Sequence, residues 1–372
     1  MLSVPGLARL SRLFSRRYDE ARRRFVAAAT RAGSGWRHAR LDHPLTGPQG
    51  EPLSLDYAWL GRPDARRVLV TQSATHGVEG FAGSALQIDH ILGRKAAVSD
   101  DLAILHVHAL NPHGFAWLRR VNEDGVDLNR NFVDFSRALP VNPDYDRVRA
   151  ALLPPDPAAW PDAGRELAAL REALGPDRFE RAVSGGQYQD RAGMFYGGTG
   201  ATWSRRALES LFDECKLGAR ERIVVVDFHT GLGPFGYGEL ICDHPPGSTG
   251  ATSARRWFGD SVTEPALGTS SSVPKEGLVD YAWQRAFGDQ VCFVTLEFGT
   301  YPFQSMLDAL RADHWWHAYG TDRCATVSAS EASASMRRHF DPDSQAWREA
   351  VVFRGRQVLR QAKAGLMEDR ER

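Results

Sequence analysis

The sequence contains no hydrophobic run long enough to cross a membrane. A membrane-spanning helix needs roughly 18–20 apolar residues, and no stretch approaches that length. The chain also begins without the charged region and apolar core of a secretory signal. The 46 Lys and Arg residues balance the 46 Asp and Glu residues, so no excess charge favours binding to nucleic acid or to an acidic membrane surface.

Cysteine is scarce, and two common functional motifs are missing. The four cysteines include no Cys-x-x-Cys pair, so we expect reduced, mostly structural thiols and a cytoplasmic location. No Gly-x-Ser-x-Gly motif provides a serine nucleophile. The glycines at 197–200 invite a phosphate-binding interpretation, but the Gly-Lys-Ser/Thr of a P-loop is absent. These absences argue against serine catalysis and against nucleotide binding.

The apolar segments predict an α/β fold. Four of them have the hydrophobic character of buried strands: 68–74, 102–108, 223–229 and 291–297. A predicted helix at 80–92 joins the first two into a β-α-β unit, which favours parallel strands. We therefore predict a mixed, mostly parallel central sheet flanked by helices.

The other segments are expected to surround this sheet in one domain. Further helices are predicted at 15–32, 162–174, 203–217, 303–318 and 344–365, and a further strand at 53–60. Loops are predicted at 33–50, 134–165 and 244–275, the last of them mobile and near the site. The 372 residues are divided into an N-terminal extension at 1–14, a single catalytic domain at 15–365 and a charged tail at 366–372.

The turn after the first buried strand holds a candidate pair of metal ligands. His76 and Glu79 lie three residues apart between glycines, in the segment Thr-His-Gly-Val-Glu-Gly. In such a turn both side chains can reach one point, and an imidazole with a carboxylate is a typical first half of a zinc site. Alone, the pair is more often a turn with a solvated His and Glu, because His-x-x-Glu occurs frequently by chance.

Two further buried strands end in groups that suit the same site. His229 and Glu297 stand at the carboxyl ends of their predicted strands, where the ligands of α/β sheets gather. Two imidazoles and one carboxylate make a three-ligand zinc site with an open position for water. A second carboxylate can take the proton of that water, and Glu297 has the type and position for this task.

A polar stretch at 120–132 supplies arginines. Its sequence is Arg-Val-Asn-Glu-Asp-Gly-Val-Asp-Leu-Asn-Arg-Asn-Phe. Arginine suits bidentate carboxylate binding and the stabilisation of an oxyanion. The alternative is a polar loop with surface arginines.

In this order, the motifs resemble those of zinc carboxypeptidases of the M14 type, and most closely the DUF2817 branch of that clan. They are His76-x-x-Glu79, Asp127-x-Asn129-Arg130-Asn131, His229 after the β-rich run, and Glu297 in Thr-Leu-Glu-Phe-Gly. Two further segments also resemble this branch: Thr-His-Gly-Val-Glu-Gly-Phe at 75–81 and Asn-Pro-His-Gly-Phe-Ala-Trp at 111–117. The likeness runs from about residue 15 to about residue 320.

The resemblance implies a zinc-carboxypeptidase (phosphorylase/hydrolase-like) fold and a role for each motif. One Zn²⁺ per chain would be held by His76, Glu79 and His229. Glu297 would be the general base and proton shuttle, and Arg120 would stabilise the oxyanion. Asn129 and Arg130 would bind the substrate's terminal carboxylate, while Asp127 would orient His76, as metal-bound histidines usually require.

The sequence departs from the carboxypeptidase pattern at two places. Residues 266–280 contain no tyrosine to cap the substrate, and neither Tyr237 nor Tyr281 is assigned that role. The turn is closer to the His-Gly-x-Glu of N-acyl-amino-acid deacylases of the aspartoacylase and succinylglutamate desuccinylase types. These deacylases also carry Asp-x-Asn-Arg, so this motif does not separate the two activities.

The expected function is therefore zinc-dependent hydrolysis of an amide or peptide bond next to a free carboxylate. A carboxypeptidase-like enzyme acting on small peptides is the first hypothesis, and an N-acyl-amino-acid deacylase is the alternative. A non-catalytic metal- or ligand-binding protein is a third possibility, but such a protein needs neither Glu297 nor Arg120. No nucleic-acid or membrane partner is expected, and the sequence favours no particular oligomeric state.

Other histidines and one aspartate are further candidates for a metal or substrate site. His106 and His108 share one face of a strand and could chelate a metal, although core histidines are more often hydrogen-bonded. His113 lies in the loop expected to build the site and is a candidate substrate contact. Asp227, two residues before His229, either supports that histidine or is purely structural.

Overall fold

A computed structural model describes residues 10–31, 35–93, 98–320 and 328–368. Within these residues eight strands form one sheet. The strands are β1 (Arg37–Thr46), β2 (Pro52–Leu60), β3 (Arg67–Ser73), β4 (Leu102–His108), β5 (Arg222–Gly231), β6 (Gly238–Ile241), β7 (Val262–Thr263) and β8 (Val291–Gly299). The three strands β3, β4 and β5 are almost wholly buried, which explains their β-branched and apolar composition.

The helices cover both faces of the sheet. In the described part of the chain they are α1 (Tyr18–Thr30), α2 (Gly80–Leu92), α3 (Pro112–Ala116), α4 (Tyr145–Leu152), α5 (Trp160–Leu174), α6 (Pro176–Ser184), α7 (Trp203–Glu214), α8 (Thr249–Phe258), α9 (Val279–Phe287), α10 (Phe303–Tyr319), α11 (Ala329–Phe340) and α12 (Gln345–Glu368). Helix α1 shows why they pack as they do, because its buried residues Tyr18, Ala21 and Phe25 recur at spacings of three and four.

The sheet is mixed, with its parallel part at the centre. The strand order is β1-β2-β4-β3-β5-β8-β6-β7. The pairs β4/β3, β3/β5, β5/β8 and β6/β7 are parallel, whereas β1/β2, β2/β4 and β8/β6 are antiparallel. The expectation of a mostly parallel sheet therefore applies to the four central strands and is wrong where the flanks join them, because β2/β4 and β8/β6 are antiparallel.

Two hydrophobic cores lie on the two faces of the sheet. One joins residues of α1, α2, α8 and α12, such as Phe25, Leu86 and Trp347, to one face. The other joins α7 and α9, through residues such as Leu211 and Trp283, to the opposite face. A third cluster, formed by α4, α5, α6, α10 and α11, covers the end of the sheet at which the candidate site lies.

Several predicted boundaries are close to the observed ones, but all three predicted loops are wrong. The predicted loop at 134–165 contains α4 and the first turns of α5. The predicted loop at 33–50 contains β1, an edge strand exposed along most of its length. The predicted loop at 244–275 contains α8, whose N-cap is the Ser248 side chain, and the short strand β7. Strand β1 and helix α8 are largely polar on one side, so neither has the continuous apolar run that marks the central strands.

The predicted terminal segments and the cysteines are only partly covered by the described residues. Residues 1–9 of the predicted extension and 369–372 of the predicted tail lie outside the described residues. Leu10 and Phe14 pack into the core formed with α1. Cys242 and Cys292 are buried in the same core, while Cys324 lies outside the described residues. No helix in the described part of the chain combines the length and apolarity needed to span a bilayer.

Candidate metal centre and active site

The His76–Glu79 turn is fixed by a close backbone contact with the segment after β4. Its peptide N–H groups at Gly77 and Val78 donate to the carbonyl oxygens of Arg120 and Arg119, at 3.2 and 2.9 Å. A Cβ at Gly77 would lie 2.0 Å from the carbonyl carbon of Gly114. Only glycine allows this approach, which explains the first glycine of the motif.

The turn and β5 bring three possible metal donors together. The Nδ1 atom of His76 lies 3.0 Å from Oε1 of Glu79, and Nδ1 of His229 lies 3.2 Å from Oε2 of Glu79. One ligand atom from each of the three buried side chains lies within 4.8 Å of the others. Zinc bonds of about 2.0–2.2 Å place tetrahedral donors roughly 3.4 Å apart, so these three side chains fit a zinc ion.

Each histidine is oriented by a buried carboxylate on its other nitrogen. The Nε2 atom of His76 is 3.1 Å from Oδ1 of Asp127, as the resemblance implied. The Nε2 atom of His229 is 2.8 Å from Oδ2 of Asp227, which also accepts a hydrogen bond from the Thr75 hydroxyl at 2.9 Å. A carboxylate on Nε2 favours the proton there and leaves the Nδ1 lone pair directed to the centre.

The electrostatics of the centre favour a positive charge among the donors. Burial opposes ionisation of Glu79, but the charges of His76 and His229 hold its carboxyl pKa well below the ordinary value. Burial likewise opposes protonation of His229, yet Asp227 and then Glu79 raise its pKa well above the ordinary value. The surroundings thus stabilise the charged forms of both Glu79 and His229.

Glu297 lies directly beside His229 on the neighbouring strand. The two residues are partners in the parallel β5/β8 register, so their backbones are about 4.8 Å apart. Oε1 of Glu297 accepts a hydrogen bond from the Leu232 N–H at 2.9 Å. Burial, and next the charge of Glu79, raise the pKa of the Glu297 carboxyl to about 8. This carboxyl therefore has a high proton affinity and lines the same cavity as the donors.

Arg120 joins two carboxylates of the centre. Its Nε donates to Oδ2 of Asp127 at 3.0 Å, and its Nη1 donates to Oε1 of Glu79 at 3.2 Å. The guanidinium also lies 5.4 Å from the ring centroid of Phe195. Arg120 lines the cavity beside the donors, so its remaining N–H groups are placed to meet an anionic oxygen.

Asn129 and Arg130 line the cavity, but both are bound to the backbone. Arg130 is fully buried, and its Nε and Nη2 donate to the carbonyl oxygen of Ser184 at 3.1 and 2.6 Å. Oδ1 of Asn129 accepts from the Val279 N–H at 2.8 Å. The structure thus brings these two residues to the cavity with part of their hydrogen-bonding capacity already used.

The rival histidines lie elsewhere and have other contacts. His106 and His108 are fully buried, and their ring nitrogens approach the hydroxyls of Thr71 and Ser84 at 2.6 and 2.9 Å. They are therefore core histidines held by hydrogen bonds. His113 stacks on Trp117 with ring centroids 5.7 Å apart. Among the two tyrosines left unassigned, Tyr237 is exposed and Tyr281 donates to the carbonyl oxygen of Lys275 at 3.1 Å.

The sequence left open whether Asp227 supports His229 or is purely structural. Its spacing of two residues from His229 indicated a shared strand face, but that spacing is also common in purely structural pairs. The hydrogen bond to the His229 ring shows that it supports that histidine. No motif or spacing in the sequence marks Asp243, Lys275 and Asp280, which line the same cavity as Glu297.

Residues 14–354 of the chain match the family described as "Protein of unknown function (DUF2817)". No curated protein matches the sequence. This match covers nearly all of the described residues, including each predicted site residue.

Solved structures similar to this chain include three bacterial proteins. An aspartoacylase family protein from Mesorhizobium loti has 16% identity and a TM-score of 0.37, over 79% of this chain and 70% of its own. A metallo-carboxypeptidase from Burkholderia cenocepacia has 14% identity and a TM-score of 0.40, over 88% and 66%. The murein-tripeptide amidase MpaA from Escherichia coli O157 has 17% identity and a TM-score of 0.35, over 78% and 96%.

Proposed function

The chain belongs to the DUF2817 family, and from its site we propose a zinc-dependent hydrolase that cleaves an amide or peptide bond next to a free carboxylate. The observation that carries the proposal is the approach of His76, Glu79 and His229 to within 4.8 Å of one another. We further propose that the order of the motifs places the family in the M14-type clan. The mixed sheet would then be of the zinc-carboxypeptidase kind.

The three donors suit zinc by number, chemistry and orientation. Three protein ligands with one open position are typical of catalytic zinc. A zinc ion held there supplies Lewis acidity that makes water nucleophilic near neutral pH. The carboxylates of Asp127 and Asp227 keep the two imidazoles in the tautomer that such a role needs.

Glu297 is the proposed general base. It is buried beside His229 in the sheet register, and its raised carboxyl pKa means that it holds a proton firmly once it has accepted one. It would take the proton of the attacking water and deliver it to the leaving nitrogen. Proton transfer by a positioned side chain is typically worth about 10²–10⁴ in rate.

The arginines of the cavity are proposed to bind negative charge on the substrate. Arg120, between Glu79 and Asp127, would stabilise the oxyanion that forms when the scissile carbonyl is attacked. Asn129 and Arg130 would hold the free carboxylate of the substrate. Because Arg130 already donates to the Ser184 carbonyl, we infer that substrate binding adds to or replaces a backbone contact.

The leading substrate is a small peptide, and an N-acyl amino acid is the second candidate. The observation that favours the second is the His-Gly-Val-Glu turn at 76–79, which resembles that of the deacylases. Both substrates present an amide next to a carboxylate, so the same residues serve either reaction. We place the reaction in the cytoplasm because the few cysteines favour a reducing compartment.

The proposal is tested by metal analysis and a substrate screen. The purified protein should contain about one zinc per chain, and His76→Ala and His229→Ala should each lose it. Zinc-loaded protein should hydrolyse short peptides or N-acyl amino acids with a free carboxylate but not their amidated forms. Full zinc retention by both variants contradicts the site. Equal turnover of free and amidated substrates contradicts recognition of the carboxylate.

A further inference from the structure

A second cavity lies between α2 and α12, away from the candidate metal centre. Its volume is about 330 Å³, which is within the range of small-molecule sites. Helix α2 begins at Gly80, beside the metal turn, and His90 near its other end lines the cavity. Ten residues of helix span about 15 Å, so the cavity is separate from the candidate metal centre.

A chain of hydrogen bonds leads from the central sheet to this cavity. The Nε2 of Gln87 donates to the Thr71 hydroxyl oxygen at 3.1 Å, and that oxygen lies 2.6 Å from Nδ1 of His106. The Nε2 of His106 lies 3.0 Å from Nδ1 of His90. The first three of these residues are fully buried, and none of the four belongs to the proposed reaction.

The amide of Gln87 sets the direction of these hydrogen bonds. Its Oε1 accepts from the Ser73 hydroxyl at 3.0 Å, so its Nε2 is the donor to Thr71. The hydroxyl hydrogen of Thr71 is then left for Nδ1 of His106, whose own proton lies on Nε2 and is donated to Nδ1 of His90. Burial lowers the pKa of both imidazoles, that of His90 to about 4, so both are neutral near pH 7. The proton of neutral His90 is therefore on Nε2.

The outer N–H of His90 is available to a molecule in the cavity. Within the described part of the chain, the hydrogen bond of His90 is made by Nδ1, and no side chain or backbone carbonyl accepts from its Nε2. Nor is Nε2 one of the buried atoms that are closed off from solvent. The chain of hydrogen bonds thus ends in a donor that requires an acceptor from outside the protein.

The charged residues of the cavity are mainly cationic. Helix α12 contributes Arg356, Arg360 and Lys363, whereas α2 contributes one carboxylate, Asp89. Arg356 donates to both oxygens of Asp89, each at 2.7 Å, so these two charges offset each other. Arg360 and Lys363 give the lining residues an excess of positive formal charge, which favours an anionic ligand.

The walls of the cavity include an apolar surface. Leu86 of α2 and Leu359 of α12 are both buried and both line the cavity. The two helices are in close contact beside it, because a Cβ at Gly355 would lie 2.4 Å from Cδ2 of Leu86. The cavity is therefore formed before any ligand binds, and its leucines suit an apolar group next to the anion.

We propose that this cavity binds a small organic acid with one carboxylate and an apolar body. The carboxylate accepts from Nε2 of His90 and meets the charges of Arg360 and Lys363, all of which are donors only in these protonation states. The apolar body lies against Leu86 and Leu359. An inorganic anion would leave these leucines uncovered, and a neutral ligand would leave the cations without a counter-charge. The site does not depend on the proposed hydrolase function.

Calorimetry with four probes tests the chemical class of the ligand. The probes are hexanoate, hexanamide, acetate and inorganic phosphate. Hexanamide has the shape of hexanoate without its charge, and acetate has the charge without the apolar body. We expect hexanoate to bind at least about tenfold more tightly than each of the others, because a buried methylene contributes about fourfold in affinity and the amide forms no charge-assisted hydrogen bond. Equal binding of hexanamide, or tighter binding of phosphate, overturns the proposal.

Variants show where hexanoate binds. The double variant Arg360→Gln/Lys363→Gln should bind hexanoate at least about fivefold more weakly, whereas Arg171→Gln, at an exposed position of α5, should bind it as the parent does. His76→Ala, which removes a proposed metal ligand, should also bind hexanoate normally. Unchanged affinity in the double variant, or loss of binding in His76→Ala, overturns the site, the latter by placing hexanoate at the metal centre.

The nitrogen signals of the histidines test the donor directly. In protein labelled with ¹⁵N at histidine, the spectrum should show His90 as the Nε2–H tautomer, and hexanoate should shift its Nε2 signal. His90→Gln identifies that signal by its absence. A proton on Nδ1 of His90, or an Nε2 signal that saturating hexanoate leaves in place, contradicts the proposed contact.

Discussion

At the scale of single residues, the outer hydrogen bonds of two histidines orient the rings at the candidate metal centre. An imidazole has two nitrogens, and only the unprotonated one can bind a metal. At His76 and His229 the Nε2 atoms face Asp127 and Asp227, at 3.1 and 2.8 Å. The carboxylates therefore hold the Nε2 protons, so Nδ1, which faces Glu79 in both rings, is the atom that would give up its proton to bind a metal.

Asp227→Asn should weaken zinc binding without unfolding the protein. The amide cannot match the charge-assisted bond to His229 Nε2, and loss of such a partner typically costs about 10–100-fold in metal affinity. Competition with a chromogenic chelator measures the change. Asp260→Asn, at an exposed position, should bind zinc as the parent does. Unaltered affinity in Asp227→Asn would mean that the carboxylate supports the Thr75 hydroxyl alone.

Glu297→Gln should separate proton transfer from metal binding. Gln keeps the shape of the side chain and can still accept the Leu232 N–H bond, but it cannot accept a proton. We expect unchanged zinc content, near-normal KM and a fall in kcat of at least about a hundredfold. Steady-state kinetics and elemental analysis measure these quantities together. Loss of zinc would instead identify Glu297 as a ligand, and full turnover would assign the base to another residue.

The residues that the sequence could predict are those with a strong strand or turn signal next to them. His229 and Glu297 follow long apolar runs, so the strands that carry them could be predicted to end in one crevice. Asp243 and Lys275 lie in polar segments whose path has no periodicity, and only the folded chain brings them to the cavity. The role of Asp227 depended on a ring orientation, which no spacing specifies.

At the scale of elements, helix α2 fixes the turn that carries His76 and Glu79. The helix begins at Gly80, immediately after the turn. Gly83 lies so close to the sheet that a Cβ there would stand 2.6 Å from Ser73 Cβ and 3.1 Å from Phe228 Cβ. The absence of a side chain lets α2 lie against β3 and β5, and hence sets the height of the turn above the strands.

Gly83→Ala should lower both stability and metal affinity. The new methyl group would force α2 away from the sheet, and overpacking of this kind typically costs about 1–3 kcal/mol. Displacement of the helix would also move His76 and Glu79 relative to His229. Urea unfolding and zinc competition measure the two effects.

A matched substitution separates packing from helix propensity. Gly164 also lies within a helix, α5, but a Cβ there would meet nothing within 4 Å. Gly164→Ala should therefore raise stability by about 0.5–1 kcal/mol and leave zinc binding unchanged. If both variants gained stability equally, the close approach at Gly83 would not constrain α2.

The elements that were predicted well are those with both faces buried. The predicted segments at 68–74 and 102–108 agree with β3 and β4 within one residue. A short, continuous apolar run of this kind is typical of a strand that is buried on both faces. Strand β1 was missed because most of its residues are exposed, so it lacks the alternation that buries one face. It forms through backbone pairing with β2, which side-chain pattern alone does not reveal.

At the scale of the whole molecule, sequence order does not determine which strands become neighbours. The β-α-β unit of β3, α2 and β4 correctly indicated a parallel pair. The antiparallel flanks arise because β2 pairs with β4, and β6 with β8, across connections that the local sequence does not describe. The wrong prediction for the flanks does not affect the candidate site, because His229 and Glu297 belong to the parallel pair β5/β8.

The buried histidines link the stability of the whole fold to pH. Burial lowers the pKa of His108 to about 4, and burial also lowers the pKa of His106 and His314. In the unfolded chain a histidine titrates near 6.5. Between about pH 6.5 and 4 the unfolded state therefore binds protons that the folded state does not, and stability falls as the pH falls. The raised pKa of Glu297 acts in the opposite direction, so a single histidine is best isolated by substitution.

His108→Phe isolates one of these contributions. The new ring retains the stacking on Phe25, whose centroid is 4.4 Å from that of His108, and removes a ring nitrogen that is buried without a partner. It also removes the titration, so the parent should lose about 2 kcal/mol more than the variant when the pH falls from about 7 to 5. Urea unfolding of both proteins at the two pH values, in a chelating buffer so that metal release does not contribute, measures this difference. Parallel losses would show that His108 gains its proton as readily in the folded protein as in the unfolded chain.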